Sequence, residues 1–134
     1  MNLIKQSFVV VLFISLHSIS FGQTQTDLNS KAYAQYKIAD GKLNLVYHSV
    51  INEYKTQATF IKNFKHAERL WVQLRDAELK AKYPESDIYG SVQPMCVARF
   101  LEQLTNERIK YLKVWLDGIA EGDYCTGSVK MKKG

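Results

Sequence analysis

The chain has 134 residues and a formal net charge of +5 at pH 7. That length holds one small domain with a core of modest size. Acids and bases alternate along it, without the concentrated basic stripe expected of a nucleic-acid binder.

The N-terminus reads as an export signal. Lys5 gives a short charged start, Phe8 to Leu16 is apolar apart from Ser15, and Ser20-Phe21-Gly22 places small residues at −3 and −1 of a cut before Gln23. Spanning a bilayer takes roughly 20 apolar residues. This run is shorter and is closed by His17 and Ser18. The expectation is therefore a leader over 1–22 and a mature domain over 23–134, periplasmic or secreted, touching the membrane only before cleavage. No cysteine lies at the cut, so lipid attachment there is not expected.

Three segments follow with helical periodicity. The first runs from about Asp27, read as its N-cap, to Tyr54. Its stripe is Leu28, Ala32, Tyr36, Ala39, Leu43, Val46, Val50 and Tyr54. The second runs from about Thr59 to Lys82, with Phe60, Phe64, Ala67, Leu70 and Trp71, Leu74, Ala77 and Ala81 as its apolar line. Tyr83-Pro84 stops it, because a residue before proline is pushed out of the helical region. A polar loop from Pro84 to Pro94 leads to the third, about Met95 to Ile119, with Val97, Leu101, Leu104, Arg108, Leu112, Trp115 and Ile119 on one face. Gly118 and Gly122 are its natural stops. Residues from Glu121 onward read as irregular, and Lys130-Met131-Lys132-Lys133 as a frayed, solvated end. No segment alternates as a strand. The fold class expected is all-α, an antiparallel three-helix bundle with an irregular C-terminal tail.

Cys96 and Cys125 would both meet an oxidising compartment. A straight helix from Cys96 to Ile119 would measure ~35 Å, whereas the residues from Ala120 to Cys125 reach only ~20 Å. An intramolecular bridge therefore requires the third helix to start late, end early or bend; free or intermolecular thiols are the alternative.

No catalytic constellation is evident. His48 and His66 stand alone on different helices, and no Cys/His spacing suits a metal. No glycine-rich phosphate loop or nucleophile elbow occurs. Glu85 and Asp87 read as solvated loop charges. The expectation is a protein that is not an enzyme, with no cofactor and no metal. What remains are polar residues beside apolar stripes. Asp40, Asn44 and Tyr47 fall at i, i+4 and i+7, each about 100° past a core position. Trp71 and Arg75 are i and i+4 with Asp76 adjacent, and Arg108 lies within the third apolar series. An arginine there must snorkel or find an acceptor. One reading is an interhelical network in which Asp40 or Asp76 receives Arg75 and Arg108, with Asn44 and Tyr47 completing it. The other is an exposed recognition patch at one end of the bundle.

These residues, taken in order, resemble a known family. The series Leu28-Asn29, Ala39-Asp40, Leu43-Asn44 and Tyr47 resembles the "ADxxLNxxY" helix of the LprI-type lysozyme-inhibitor domain. Ala67, Trp71 and Arg75-Asp76-Ala77-Glu78 are like its "AxxxWxxxRDAE". Tyr89-Gly90-Ser91 and Pro94-Met95-Cys96 are like "YGSxxPMC", and Leu101, Leu104-Thr105, Arg108 and Leu112 like "LxxLTxxRxxxL". Trp115 to Gly118 and Glu121 to Cys125 resemble the tail of one branch. Where many relatives carry cysteine this chain has Lys31, Leu79 and Phe100, so their disulfide scheme does not transfer. Cys96 and Cys125 follow the other branch's pattern, which implies a shared structural role. The resemblance implies a partner that is lysozyme or another envelope protein, bound and blocked without catalysis. By its length and exposed polarity the 84–94 loop, with Glu85, Ser86, Asp87, Tyr89 and Ser91, is the candidate contact; the alternative is that Gly90 and Ser91 merely turn the chain and cap the third helix. Because lysozymes are commonly basic and this chain is net positive, attraction must come from local acids such as Glu85 and Asp87. The alternative is a general periplasmic interaction or structural domain; a hydrolase would need a concave pocket with converging acids.

Overall fold

A computed structural model describes residues 24–132. The leader expected over 1–22 lies outside the described residues. Helix α1 is Gln25–Glu53, α2 is Ala58–Lys82 and α3 is Gln93–Asp117, the last entered through a single 3-10 turn at Gly90–Val92. The all-α bundle expected from the sequence is what forms. Among the described residues, no helix is long and apolar enough to cross a membrane.

The helix ends follow local chemistry, with two corrections. The cap of α1 is Thr24 rather than Asp27. The Thr24 hydroxyl accepts from the Asp27 N–H and the Asp27 carboxylate from the Thr24 N–H, each at 3.2 Å, which makes a capping box with Asp27 in its third helical position. Pro94 does not close the loop but sits in the first turn of α3, where its missing N–H leaves no helical bond unmade. The irregular connection is therefore shorter than expected, from Tyr83 to Tyr89.

Successive helices run antiparallel, so α1 and α3 are parallel. Asn29 near the start of α1 donates to the Ser91 carbonyl at the entrance to α3, and Tyr54 at the end of α1 donates to the Trp115 carbonyl near the end of α3. These two helices approach closely along their length, whereas α2 stands further off. The buried residues explain the difference. On α1, Ala32 and Ala39 are seven apart, as are Leu43 and Val50; on α3 the buried residues Ala98, Thr105 and Leu112 also recur every seven. That repeat keeps one seam of each helix facing its partner, and small residues along it let the backbones come near. Helix α2 instead reaches the pair through large rings. Phe64 is buried, stacks on Phe60 at 5.3 Å and Tyr47 at 5.7 Å, and meets Trp115 edge-on at 5.7 Å.

The apolar line read for α2 is partly misplaced. Phe60, Phe64 and Trp71 do face the bundle, but Leu70 and Leu74 are 51% and 56% exposed, and Ala67, Ala77 and Ala81 are exposed as well. The inward line is Ile61, Phe64, Glu68, Trp71, Arg75 and Leu79. Two of its members carry charges, and a search for apolar periodicity therefore passes over it.

Through Lys132 the tail is not frayed; Lys133 lies outside the described residues. Gly118 ends α3 at φ 77°, and a Cβ there would lie 2.8 Å from the Lys130 carbonyl oxygen. The chain folds back so that the Ile119 N–H donates to Lys130 and the Lys132 N–H donates to Ile119, an isolated parallel bridge between Ile119 and Met131. The Lys130 N–H donates to the Tyr54 hydroxyl, and its ammonium sits 2.7 Å from Glu53. Cys96, in the first turn of α3, and Cys125, beyond its last, are thus at opposite ends of an unbroken helix whose span between Cys96 and Asp117 is ~31 Å. Both are free thiols, so the conditions for an intramolecular bridge are not met.

Two substitutions test the seam. Thr105 is fully buried and its hydroxyl has no hydrogen-bond partner among the described residues. Thr105→Val removes an unsatisfied group at nearly constant shape and should raise unfolding free energy by about 1 kcal/mol. Ala98→Leu forces the helices apart and should lower it by about 1–3 kcal/mol. Urea unfolding followed by circular dichroism reads both.

Candidate functional site

Two features stand out, and they lie toward opposite ends of the bundle. The first is the α2–α3 connection. Tyr83 ends α2, and its ring meets Tyr89 edge-on at 5.5 Å. The turn is held from inside by one side chain, Gln93. Its amide oxygen accepts from the Asp87 N–H at 3.0 Å and its amide nitrogen donates to the Glu85 carbonyl at 3.3 Å. Asp87 takes φ +67°, a left-handed conformation that aspartate and asparagine tolerate better than most residues. The Asn29 bond to Ser91 anchors the other side of the turn to α1. So fastened, the turn presents Glu85, Ser86 and Asp87 to solvent with Ile88 60% and Tyr89 40% exposed. Asp87, Gly90 and Ser91 edge a shallow depression that also takes in Asn29 and Val97.

The second feature is a polar and aromatic line between α2 and α3. Arg108 donates from Nε and Nη2 to one carboxylate oxygen of Glu68, at 2.9 and 2.7 Å. The two side chains are only 12% and 13% exposed. The same guanidinium lies 5.4 Å from the Trp71 ring centre and 5.0 Å from that of Tyr111, and the Arg75 guanidinium lies 5.5 Å from Trp71. Trp71 therefore has two cations within cation–π range. Below this pair a groove of about 510 Å³ runs between the helices, lined by Phe60, Phe64 and Trp115 with Tyr111 at its rim.

The polar contacts between α2 and α3 differ in membership from the network read from the sequence. Arg108 pairs with Glu68, which that reading missed; Arg75 and Arg108 both lie over Trp71, and Tyr47 lines a depression with Glu68. Asp40 does not receive either arginine; it pairs with Lys37 on its own helix at 3.5 Å. Asp76 receives only its neighbour Arg75, at 2.8 Å. Asn44 is exposed. The available signal for Glu68 was its spacing, at i−3 from Trp71 and i−7 from Arg75, which sets all three on one face. Gln93 and Ile88 were also missed. A clamp made to backbone atoms leaves no pattern in side-chain type.

Burial raises the Tyr47 hydroxyl pKa above its ordinary 10.0; the negative charge of Glu68 adds to this and Arg69 opposes it. Tyr83 is raised in the same direction by burial, then by Cys96 and Tyr89. Both shifts favour the neutral phenol in the folded state. The stability they carry is complete below pH 10 and is lost as pH rises through their folded values. In an ultraviolet titration, Tyr47→Phe should remove a late-ionising tyrosine from the folded protein and leave the early ones unchanged.

Glu68 and Arg108 hold the two helices in register. Glu68→Leu leaves a guanidinium largely desolvated without its acceptor and should cost about 2–4 kcal/mol, discounted from a fully buried pair for its residual exposure. The double variant Glu68→Leu/Arg108→Met should recover most of that loss. A urea double-mutant cycle measures the difference, and equal costs for the single and double variants would contradict this role.

The family model described as lysozyme inhibitor LprI matches residues 20–112. A protein of Rhizobium meliloti (strain 1021), described only as uncharacterized, is 31% identical over 101 residues, covering 67% of this chain and 72% of its own length. No solved structure matches. The matched residues contain both the clamped turn and the Glu68–Arg108 pair. The chain therefore belongs to the lysozyme inhibitor LprI family.

Proposed function

We propose that the protein is a non-catalytic inhibitor that acts outside the cytoplasm, binding lysozyme and blocking its cleft, with residues 85–91 as the contacting element. The observation that carries this reading is the Gln93 clamp. It fixes an exposed turn by two backbone hydrogen bonds, leaving the side chains of Glu85, Ser86, Asp87, Ile88 and Tyr89 outward. A loop already held in its bound shape loses little freedom on docking, which is the main route by which short loops gain affinity. Its composition suits the task. Ile88 and Tyr89 supply apolar and aromatic contact. Ser86 and Ser91 offer uncharged hydrogen-bonding groups for a cleft that holds two carboxyl groups. Glu85 and Asp87 supply local negative charge in a chain that is otherwise net positive, as approach to a basic enzyme requires.

A second reading, a general envelope interaction domain without lysozyme activity, draws on the exposed α2 line of Ala67, Leu70, Leu74, Ala77 and Ala81. The two separate in one assay of lysozyme activity against cell walls with purified protein. Glu85→Gln/Asp87→Asn keeps the turn geometry and removes its charge, and should weaken inhibition about tenfold, equivalent to about 1.4 kcal/mol. Gln93→Ala frees the turn and should weaken it similarly without loss of helical signal. Absence of inhibition by the unaltered protein, with several lysozyme types, at both low and physiological salt, would favour the second reading.

A further inference from the structure

We propose that the groove between α2 and α3 is a binding site for a neutral oligosaccharide, separate from the turn at 85–91. The groove is open along one side and its floor is aromatic, with Trp115 meeting Tyr111 edge-on at 5.3 Å and Phe64 at 5.7 Å. Tyr111 is 55% exposed at its rim. Its walls add uncharged hydrogen-bonding groups. Thr59 and Asn63 are exposed on α2, and Ser128 arrives from the folded-back tail, where its hydroxyl accepts from the Trp115 indole N–H at 3.3 Å.

The charge pattern selects the ligand. The single ionic side chain in the lining is Arg108, and Glu68 already occupies its Nε and Nη2 donors. An anionic ligand finds only this one cation, already neutralised by Glu68, and a cationic one finds no acid in the lining. A neutral ligand with one apolar face and many hydroxyls meets both parts of the surface. The C–H face of a pyranose carries weak positive charge and stacks on the negative face of an aromatic ring, while its rim hydroxyls pair with amide and hydroxyl side chains. An acyl chain would bury better in an enclosed cavity than in an open trough, and its carboxylate would again find only that neutralised cation. A volume of about 510 Å³ lies within the usual range for small-ligand sites.

This proposal does not rest on the inhibitor reading. The groove lies toward the C-terminal end of α3 and the clamped turn at its N-terminal end, ~30 Å apart along the helix. One molecule could engage a sugar and a protein at once.

The test is titration of the purified protein with two probes, the β-1,4-linked tetramer of N-acetylglucosamine and the unacetylated tetramer of glucose. Tryptophan fluorescence and calorimetry give the readout. Saturable binding of either probe at millimolar concentration or below is expected. Tyr111→Ala should weaken it about tenfold, the scale of one aromatic contact, and Asn63→Ala should weaken it several-fold. Both positions are exposed, so helical signal should not change. Preference for the acetylated probe would assign recognition of the acetamide to this groove, and equal binding would assign the bare pyranose face. Lack of saturation with both probes, binding indifferent to both variants, or displacement of sugar by a medium-chain fatty acid would overturn the proposal. Lysozyme inhibition should persist in Tyr111→Ala, which keeps the two readings separable.

Discussion

Close approach of α1 and α3 is the constraint on which the rest of the molecule depends. Two parallel helices that are not adjacent in sequence touch along small residues, Ala32 and Ala39 on one and Ala98 and Thr105 on the other. Without side-chain bulk at those positions the backbones can come near and gain dispersion contact along their whole length. The intervening helix then cannot enter the seam. It must lie across the pair, and the distance it stands off is filled by Phe60, Phe64, Trp71 and Trp115.

The stand-off creates the functional surfaces. A helix held away by aromatic rings leaves an open groove beside them, and the rings that fill the core at one edge line the groove at the other. It also leaves space in which a charged pair can be nearly desolvated yet bonded. Glu68 and Arg108 bridge α2 and α3, and cation–π contact with Trp71 and Tyr111 adds to the attraction. Such pairs contribute more to register than to net stability, because their attraction is largely offset by the cost of removing them from water. Register matters here, since a slip of α2 would move the clamped turn relative to the entrance of α3.

Each end of the bundle is closed differently. At the end holding the starts of α1 and α3, a short turn is tied by Gln93 and Asn29 and keeps its side chains outward. At the other, Tyr54 donates to Trp115 and accepts from Lys130, so one hydroxyl joins α1, α3 and the tail. The contrast is between an end that presents residues and an end that seals them. It places the proposed protein contact and the proposed sugar groove on different parts of one rigid frame.

The sequence alone determined three helices, their approximate limits, the seam of α1 and the family resemblance, but of the α3 seam it marked Leu112 and not the small residues Ala98 and Thr105. Apolar residues every three or four positions favour a helix, proline in the first turn of α3 fixes the backbone there, and Gly118 permits the positive φ that ends it. Tertiary structure decided what lies across from what. Glu68 rather than Asp40 or Asp76 meets Arg108, because the rotation of α2 is set by which bulky rings fit against the α1–α3 pair. The stripe through Leu70 and Leu74 is apolar by composition yet exposed, since the charged line beside it found partners. The tail folds back because Gly118 permits a positive φ beneath Lys130, a contact between residues 12 apart that no local periodicity encodes.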